Sequence, residues 1–263
     1  LDNDMHTIGA VNWIGLLTLY MREVRRFFKV YMQTLIAPIG TTLLFLAIFS
    51  LALGRATQIV GGVPFMEFLA PGLVIMAIAQ NAFANTSSSL MIAKMNGCII
   101  DTLMPPLTAH ELTFSIAIGG ATRGLMVGLL CGLAMIPFVS LEIHNPWFII
   151  YHAVGAAVML SLIGIIGGIW AEKFDHIASV TNFIVTPLSF LSGTFYSIER
   201  LPESIQIASF VNPFFYMIDG FRYGFIGHAD GSLTIGIFVT LGVNIALWMW
   251  CHWMFKSGYN LKS

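Results

Sequence analysis

The chain has 263 residues, 57% of them hydrophobic and 10% charged, with a formal net charge of −1. Soluble domains carry about 25% charged residues, so too few are present here to cover a water-facing surface, and the mean hydropathy of +0.83 points to a bilayer as solvent. The charge balance gives no reason to expect nucleic acid, and Cys98, Cys131 and Cys251 are too scattered for a disulfide framework or a metal site.

The first dozen residues are polar and carry no basic n-region, so no cleavable signal peptide is expected. From Trp13 to Lys29 the pattern has two faces. Arg22, Arg25, Arg26 and Lys29 recur at helical spacing, with Glu23 among them, while Leu17, Tyr20, Val24 and Phe27 fall on another side. A basic amphipathic helix with aromatics suits the cytoplasmic headgroup layer; a positive-inside anchor is the plainer reading, and the two coexist.

Apolar stretches of about 20 residues without charge are long enough to cross the hydrocarbon as helices. They predict an all-α membrane protein with six spans, at about 31–54, 67–91, 113–139, 146–171, 178–198 and 232–255, in one domain. Thr41 and Phe45 in the first span, Asn81 and Asn85 in the second, and Asn182, Ser189 and Phe190 in the fifth are candidates to line a path. Each of these residues, taken singly, serves helix–helix packing as readily.

Between the second and third spans, Lys94 to Glu111 holds Asn96-Gly97, Asp101 and Pro105-Pro106. This predicts a short helix and a proline-stopped turn, either exposed for a soluble partner or a plain connection. The third span carries Gly120, Gly124, Gly128 and Gly132 in one register, and Gly164 and Gly168 repeat the spacing in the fourth. Such a ridge lets helix backbones approach closely, within a protomer or between two. Arg123 is the one charge lodged in a span. Snorkelling toward Asp101, Glu111 or headgroups is the favoured reading, against a functional role in mid-membrane.

After the fifth span the chain is aromatic and proline-punctuated: Leu191-Ser192-Gly193, Leu201-Pro202, Asn212-Pro213 and Asp219-Gly220-Phe221-Arg222. The gap 204–218 is too short to cross, so a re-entrant segment is expected, with Asp219 and Arg222 able to pair at i, i+3. An aromatic belt that only anchors the protein is the alternative. Arg22, Arg25, Arg26, Lys29, Lys94, Lys173, Lys256 and Lys262 share one side, against Arg55, Arg200 and Arg222 on the other, which puts both termini in the cytoplasm.

Coupling energy must come from somewhere. The sequence has no GxxxxGK[ST] phosphate loop, no HExxH and no GxSxG. No span contains a carboxylate for a proton relay, and His152 and His252 are isolated. The chain is therefore not read as an enzyme.

From Arg22 to the C-terminus, the residues so far quoted resemble the type-2 ABC-transporter permease family of bacteria. The residues are Arg22-Glu23-Val24-Arg25-Arg26-Phe27-Phe28, Phe68-Leu69-Ala70-Pro71-Gly72-Leu73, and above all the block from Leu191 to Arg222. The resemblance implies a six-span subunit in the bacterial inner membrane that exports a substrate as a dimer, with ATP and Mg bound by separate ATPase subunits. It also implies a coupling helix at about 94–107, which maps onto Asn96, Gly97, Ile99, Asp101, Leu103 and Pro106. Where relatives often carry Glu, this chain has Ile100, with Asp101 beside it. A second permease copy and membrane lipids complete the expected partners. A self-contained carrier or channel, and a structural membrane protein, are the rivals.

Overall fold

The computed structural model describes residues 11–53, 59–60, 62–198 and 201–261. Arg55, Arg200 and Lys262, used above for orientation, lie outside them.

The chain opens with α1 (Trp13–Phe28), started by Asn12, whose side chain accepts the Gly15 amide at 2.9 Å. A π turn, Met32–Ile36, leads into α2 (Ala37–Leu53). A two-residue hairpin, β1 (Ile59–Val60) against β2 (Val63–Pro64), precedes the 31-residue α3 (Phe65–Met95). Then come α4 (Ile99–Leu103), α5 (Ala109–Met135) and α6 (Pro146–Trp170). Next, α7 (Phe174–Val180), a π turn at Thr181–Val185 and α8 (Thr186–Leu191) form one interrupted rod. The chain closes with α9 (Glu203–Val211), α10 (Pro213–Ile226) and α11 (Leu233–Ser257).

Among the described residues, five helices are long and apolar enough to cross a membrane: Met32–Ala52, Phe65–Met95, Ala109–Met135, Pro146–Trp170 and Leu233–Ser257. The expected fifth span corresponds to the rod Phe174–Leu191. Its helix starts earlier than the charge-free gap and stops sooner, because Gly193 adopts φ +78° and turns the chain back.

The axis of the bundle is α3. Buried residues make up 78% of its apolar window, against 17% for the helix leading through α2 and 11% for α11. The glycine ridge explains why α3 can be enclosed so closely. A methyl on Gly124 would lie 2.7 Å from the Ile78 carbonyl, and one on Gly168 would lie 3.1 Å from that of Ser87. Thus α5 and α6 each press closely on α3 within the protomer, and they also meet each other where Gly120 faces Ser161. Gly132 meets nothing, so the ridge outruns its partner helix.

Candidate functional site

The chemistry-bearing residues collect at the two ends of the bundle. At one end α4 closes a short crossing between α3 and α5. Its buried face consists of Ile99 and Thr102, with Leu103 half-buried against the same apolar cluster. Ile100, Asp101 and Met104 are exposed, as are Asn96, Gly97, Pro105 and Pro106. Of the expected coupling residues, Ile99 is therefore turned inward, and it anchors the helix. Met104, 76% exposed and one turn after Ile100, was not singled out by sequence. Its signal was the i, i+4 spacing of two apolar residues in an otherwise polar connection.

The crossing is tied to α1. Arg22 Nη1 donates to Thr102 Oγ1 at 2.9 Å. Glu111 closes a capping box with Thr108 at the head of α5, and its Oε1 accepts the Asn12 amide at 2.6 Å. Along α1, Arg25 and Lys29 are exposed, while Phe27 is buried in the core. The expected apolar face of Leu17, Tyr20, Val24 and Phe27 is therefore divided. Trp13, Ile14, Leu17 and Met21 form the exposed apolar strip, and Phe27 belongs to the interior.

Glu23 is fully buried. Its Oε1 accepts from Ser89 Oγ at 2.8 Å and from Arg22 at 3.3 Å, and Arg26 approaches Oε2 at 3.3 Å. Arg26 in turn donates to the Asn85 backbone and side-chain oxygens at 2.6 and 2.9 Å, and to Ser88 Oγ at 3.2 Å. Gly119 makes room for this: a methyl there would stand 2.6 Å from Glu23 Cβ. An acid flanked by arginines one residue before and three after was the sequence signal for the cluster.

Asn85 is thus fully buried with its side-chain oxygen on Arg26, and Ser189 is buried while donating to the Val185 carbonyl. Asn81 and Thr41 face a cavity of about 490 Å³, together with Gln33, Gln80 and Thr181. Asn182 is exposed, and Phe45 and Phe190 gather on Phe195 with ring centroids 6.4 and 5.1 Å away. The favoured snorkelling of Arg123 is corrected: its Nη2 donates across to Asn81 Oδ1 at 3.1 Å. The guanidinium thus turns to an amide on the neighbouring helix rather than to Asp101 or Glu111, and its Nε is left without a partner.

At the opposite end the expected Asp219–Arg222 pair does not form. Arg222, buried, donates to the Gly193 carbonyl at 2.5 Å and more weakly to that of Thr194, and its guanidinium lies 3.9 Å over the Phe68 ring. Asp219 accepts the amides of Asp230 and Gly231 at 2.9 and 3.0 Å. Asn212 caps α10 through the Phe214 amide and donates to the Leu188 carbonyl and to Ser192 Oγ. Pro213 opens α10 at a position where its missing N–H costs nothing. Gly72 completes the knot: a methyl there would sit 2.6 Å from the Thr194 oxygen and 3.2 Å from Arg222. His152 is buried and stacked near Phe148, and its ring fills the space a side chain at Gly220 would need. The distant motifs Pro71-Gly72, Leu191-Ser192-Gly193, Asn212-Pro213 and Asp219-Gly220-Phe221-Arg222 are therefore one structural unit.

Comparison with known proteins agrees with this geometry. The family described as "ABC-2 type transporter" matches residues 15–226. The inner membrane transport permease YadH of Escherichia coli strain K12 is 36% identical over 251 residues, covering 95% of this chain and 98% of its own. More distant are nodulation protein J of Rhizobium leguminosarum bv. trifolii, 23% identical over 91% of this chain and 93% of its own, and that of Neorhizobium galegae, 21% identical over 86% of each.

Proposed function

This chain belongs to the ABC-2 type transporter family, whose permeases are multi-pass inner membrane subunits, and from that premise we propose how it works. It is the membrane half of an exporter, with six spans, the fifth being the rod Phe174–Leu191. The protein works as a dimer of two such copies on separate ATP-binding subunits. ATP and Mg bind to those partners, and the free energy of ATP arrives here mechanically.

The observation that carries the reading is the exposed Ile100-Asp101…Met104 edge of α4, backed by a buried face and fastened to α1 through Arg22 and Thr102. A partner pushing on this edge moves α1 and α3 together, because Glu23 and Arg26 join them. Asn96, Gly97 and Pro106 border the edge and Leu103 braces it. The route for substrate follows the cavity bordered by Thr41 and Asn81, near Asn182, with Phe45 and Phe190 toward its far end. It opens where the poorly covered α2 and the 174–191 rod await a second copy. Both termini then face the cytoplasm, α1 lies in the headgroup layer, and α9–α10 dips in from the other side without crossing.

The membrane-lipid partnership has its own support. Arg22, Arg25, Arg26 and Lys29 border a cavity of about 700 Å³ between α1 and the end of α3, and its apolar wall includes Leu17 and Met21. A basic hollow at that depth suits anionic headgroups.

The test is co-purification with a co-expressed ATP-binding subunit of an ABC-2 type transporter. The double variant Ile100→Glu/Met104→Glu alters only exposed side chains and should keep the fold. It should lose the ATPase from the complex, whereas unchanged co-purification would overturn the docking assignment. A purified chain that moves solute alone would favour the self-contained carrier instead.

A further inference from the structure

Two hollows at the end of the bundle opposite α4 adjoin each other, and neither takes part in the coupling or the route described above. The first, about 410 Å³, is an apolar groove between α3, α5, α6 and α10. Its floor includes Val74, Ile78 and Phe221, all buried, and its lips are the exposed Leu129, Leu133 and Ile150. Gly132 leaves the groove open, since nothing lies within 4 Å of where its Cβ would be. The second, about 290 Å³, is polar and is bordered by Glu67, Ser140, Glu142 and His144. Leu141, Ile143 and Phe225 line both, so the two lie side by side and a single amphipathic molecule could reach from one to the other.

The polar end is firmly built. The loop carrying Glu142 and His144 is pinned to the end of α10, where the amides of His144 and Asn145 both donate to the Gly224 carbonyl, at 2.9 and 2.8 Å. Neither Glu67 nor Glu142 has an ion-pair partner among the described residues. Pro71, which has no N–H, also withholds the usual helical donor from the Glu67 carbonyl. The two carboxylates accept only, while Ser140 and His144 beside them can also donate, so a group that carries positive charge and donates, with an acceptor next to it, complements this end. The apolar groove runs along the outer surface of helices that cross the bilayer, where acyl chains are the surrounding medium, and its volume lies in the range of about 300–1,000 Å³ typical of ligand sites.

We propose that this compound site holds a lipid with a primary-amine headgroup, of the phosphatidylethanolamine type. Its ammonium sits between Glu67 and Glu142, its phosphate faces the water side within reach of His144, and one acyl chain lies in the groove beside Gly132. The occupant is a bilayer lipid, because a free amine would leave the groove unfilled and a methylated choline head has no N–H to give the carboxylates.

The test uses the full chain in mixed micelles, with lipid retention read by native mass spectrometry for phosphatidylethanolamine and phosphatidylcholine of the same acyl composition. Wild type should retain the amine lipid about tenfold better, the scale of one charge-assisted hydrogen bond. Glu67→Gln/Glu142→Gln should bring the two lipids level while leaving the melting temperature unchanged. Gly132→Leu fills open space without strain and should reduce retention of both. Equal retention by wild type, a preference that survives the glutamine pair, or a groove variant without effect would each overturn the proposal. Displacement of the lipid by millimolar ethanolamine would overturn it too, by assigning the polar end to a free amine.

Discussion

At the α9–α10 end, Arg222 is gripped by the backbone carbonyls of Gly193 and Thr194 and Asp219 by the backbone amides of Asp230 and Gly231. At the α4 end, Glu23 and Arg26 are held mainly by side chains, namely each other, Arg22, Ser88, Ser89 and Asn85, with one backbone carbonyl, that of Asn85, on Arg26. Both ends bury charge, and they do so by different means. A charge held by backbone groups is fixed once the local fold exists, because its partners cannot rotate away. A charge held by side chains can exchange partners at the cost of a rotamer change. The first arrangement suits a permanent knot, and the second suits a joint that transmits a push.

The sharpest way to break this comparison is at Arg222. Arg222→Leu leaves two buried carbonyls without their donor and removes the cation over Phe68. Loss of a buried, paired charge costs about 3–5 kcal/mol, so the detergent-solubilised variant should be recovered poorly, with a strongly lowered Tm. Arg222→Lys should recover only part of this, since a point charge replaces a planar fork that both donates and stacks. A wild-type Tm in Arg222→Leu would remove the knot from the account.

Next in size is Gly72→Ala. Its methyl would have to displace the Thr194 backbone rather than the tip of a flexible chain, and overpacking of this kind costs about 1–3 kcal/mol. Gly132→Ala is the control, with free space at its Cβ and an expected change within about 0.5 kcal/mol. A thermal melt of both variants separates a glycine needed for close approach from one that merely sits in the ridge.

The contrast also explains what the sequence made legible. Helix lengths follow from charge spacing, because a charge is expensive in hydrocarbon wherever it stands, and the long helices of α3, α5, α6 and α11 lie close to where the gaps put them. Pro71-Gly72 and the Leu191–Arg222 block were visible as signatures, but not as neighbours. Their meeting depends on the turn at Gly193 and on a guanidinium reaching back across 29 residues. Spacing along a helix suggested Asp219 with Arg222, and the backbone groups of nearby turns outcompeted that pair. Arg123 failed for a related reason: an amide one helix away was a nearer partner than any acid at the membrane edge. Asn85 and Asn81 looked alike in sequence, yet one is locked to Arg26 and the other borders a cavity.

The joint is probed by Glu23→Gln. The amide keeps a hydrogen bond to Ser89 but gives up the charge that faces Arg22 and Arg26, a loss of about 2 kcal/mol on the scale of hydrogen bonds to charged groups. Stability should fall by less than in Arg222→Leu. Transport-coupled ATP hydrolysis in the reconstituted complex should fall further than stability does, because the α1–α3 joint is then held only by Arg26 on Asn85 and Ser88 and by one neutral bond to Ser89. If ATPase coupling and Tm decline strictly together across Glu23 and Arg222 variants, the two ends do the same job and the distinction fails.

The smallest effect is expected at Arg25 and Lys29, and it is informative because the fold does not need them. Both are exposed and without ion-pair partners among the described residues, so Arg25→Gln/Lys29→Gln should leave the Tm in neutral detergent within about 0.5 kcal/mol of wild type. Adding phosphatidylglycerol should stabilise wild type by about 1 kcal/mol for each basic group it meets, and the double variant should lose most of that gain. Salt should erode the wild-type gain as screening sets in, leaving the Glu23–Arg26 pair little affected, since Glu23 is buried and the surface groups are not. The same lipid titration thus separates charges turned toward the membrane surface from those turned into the joint, residues interleaved over about the last two turns of α1 and its C-cap Lys29.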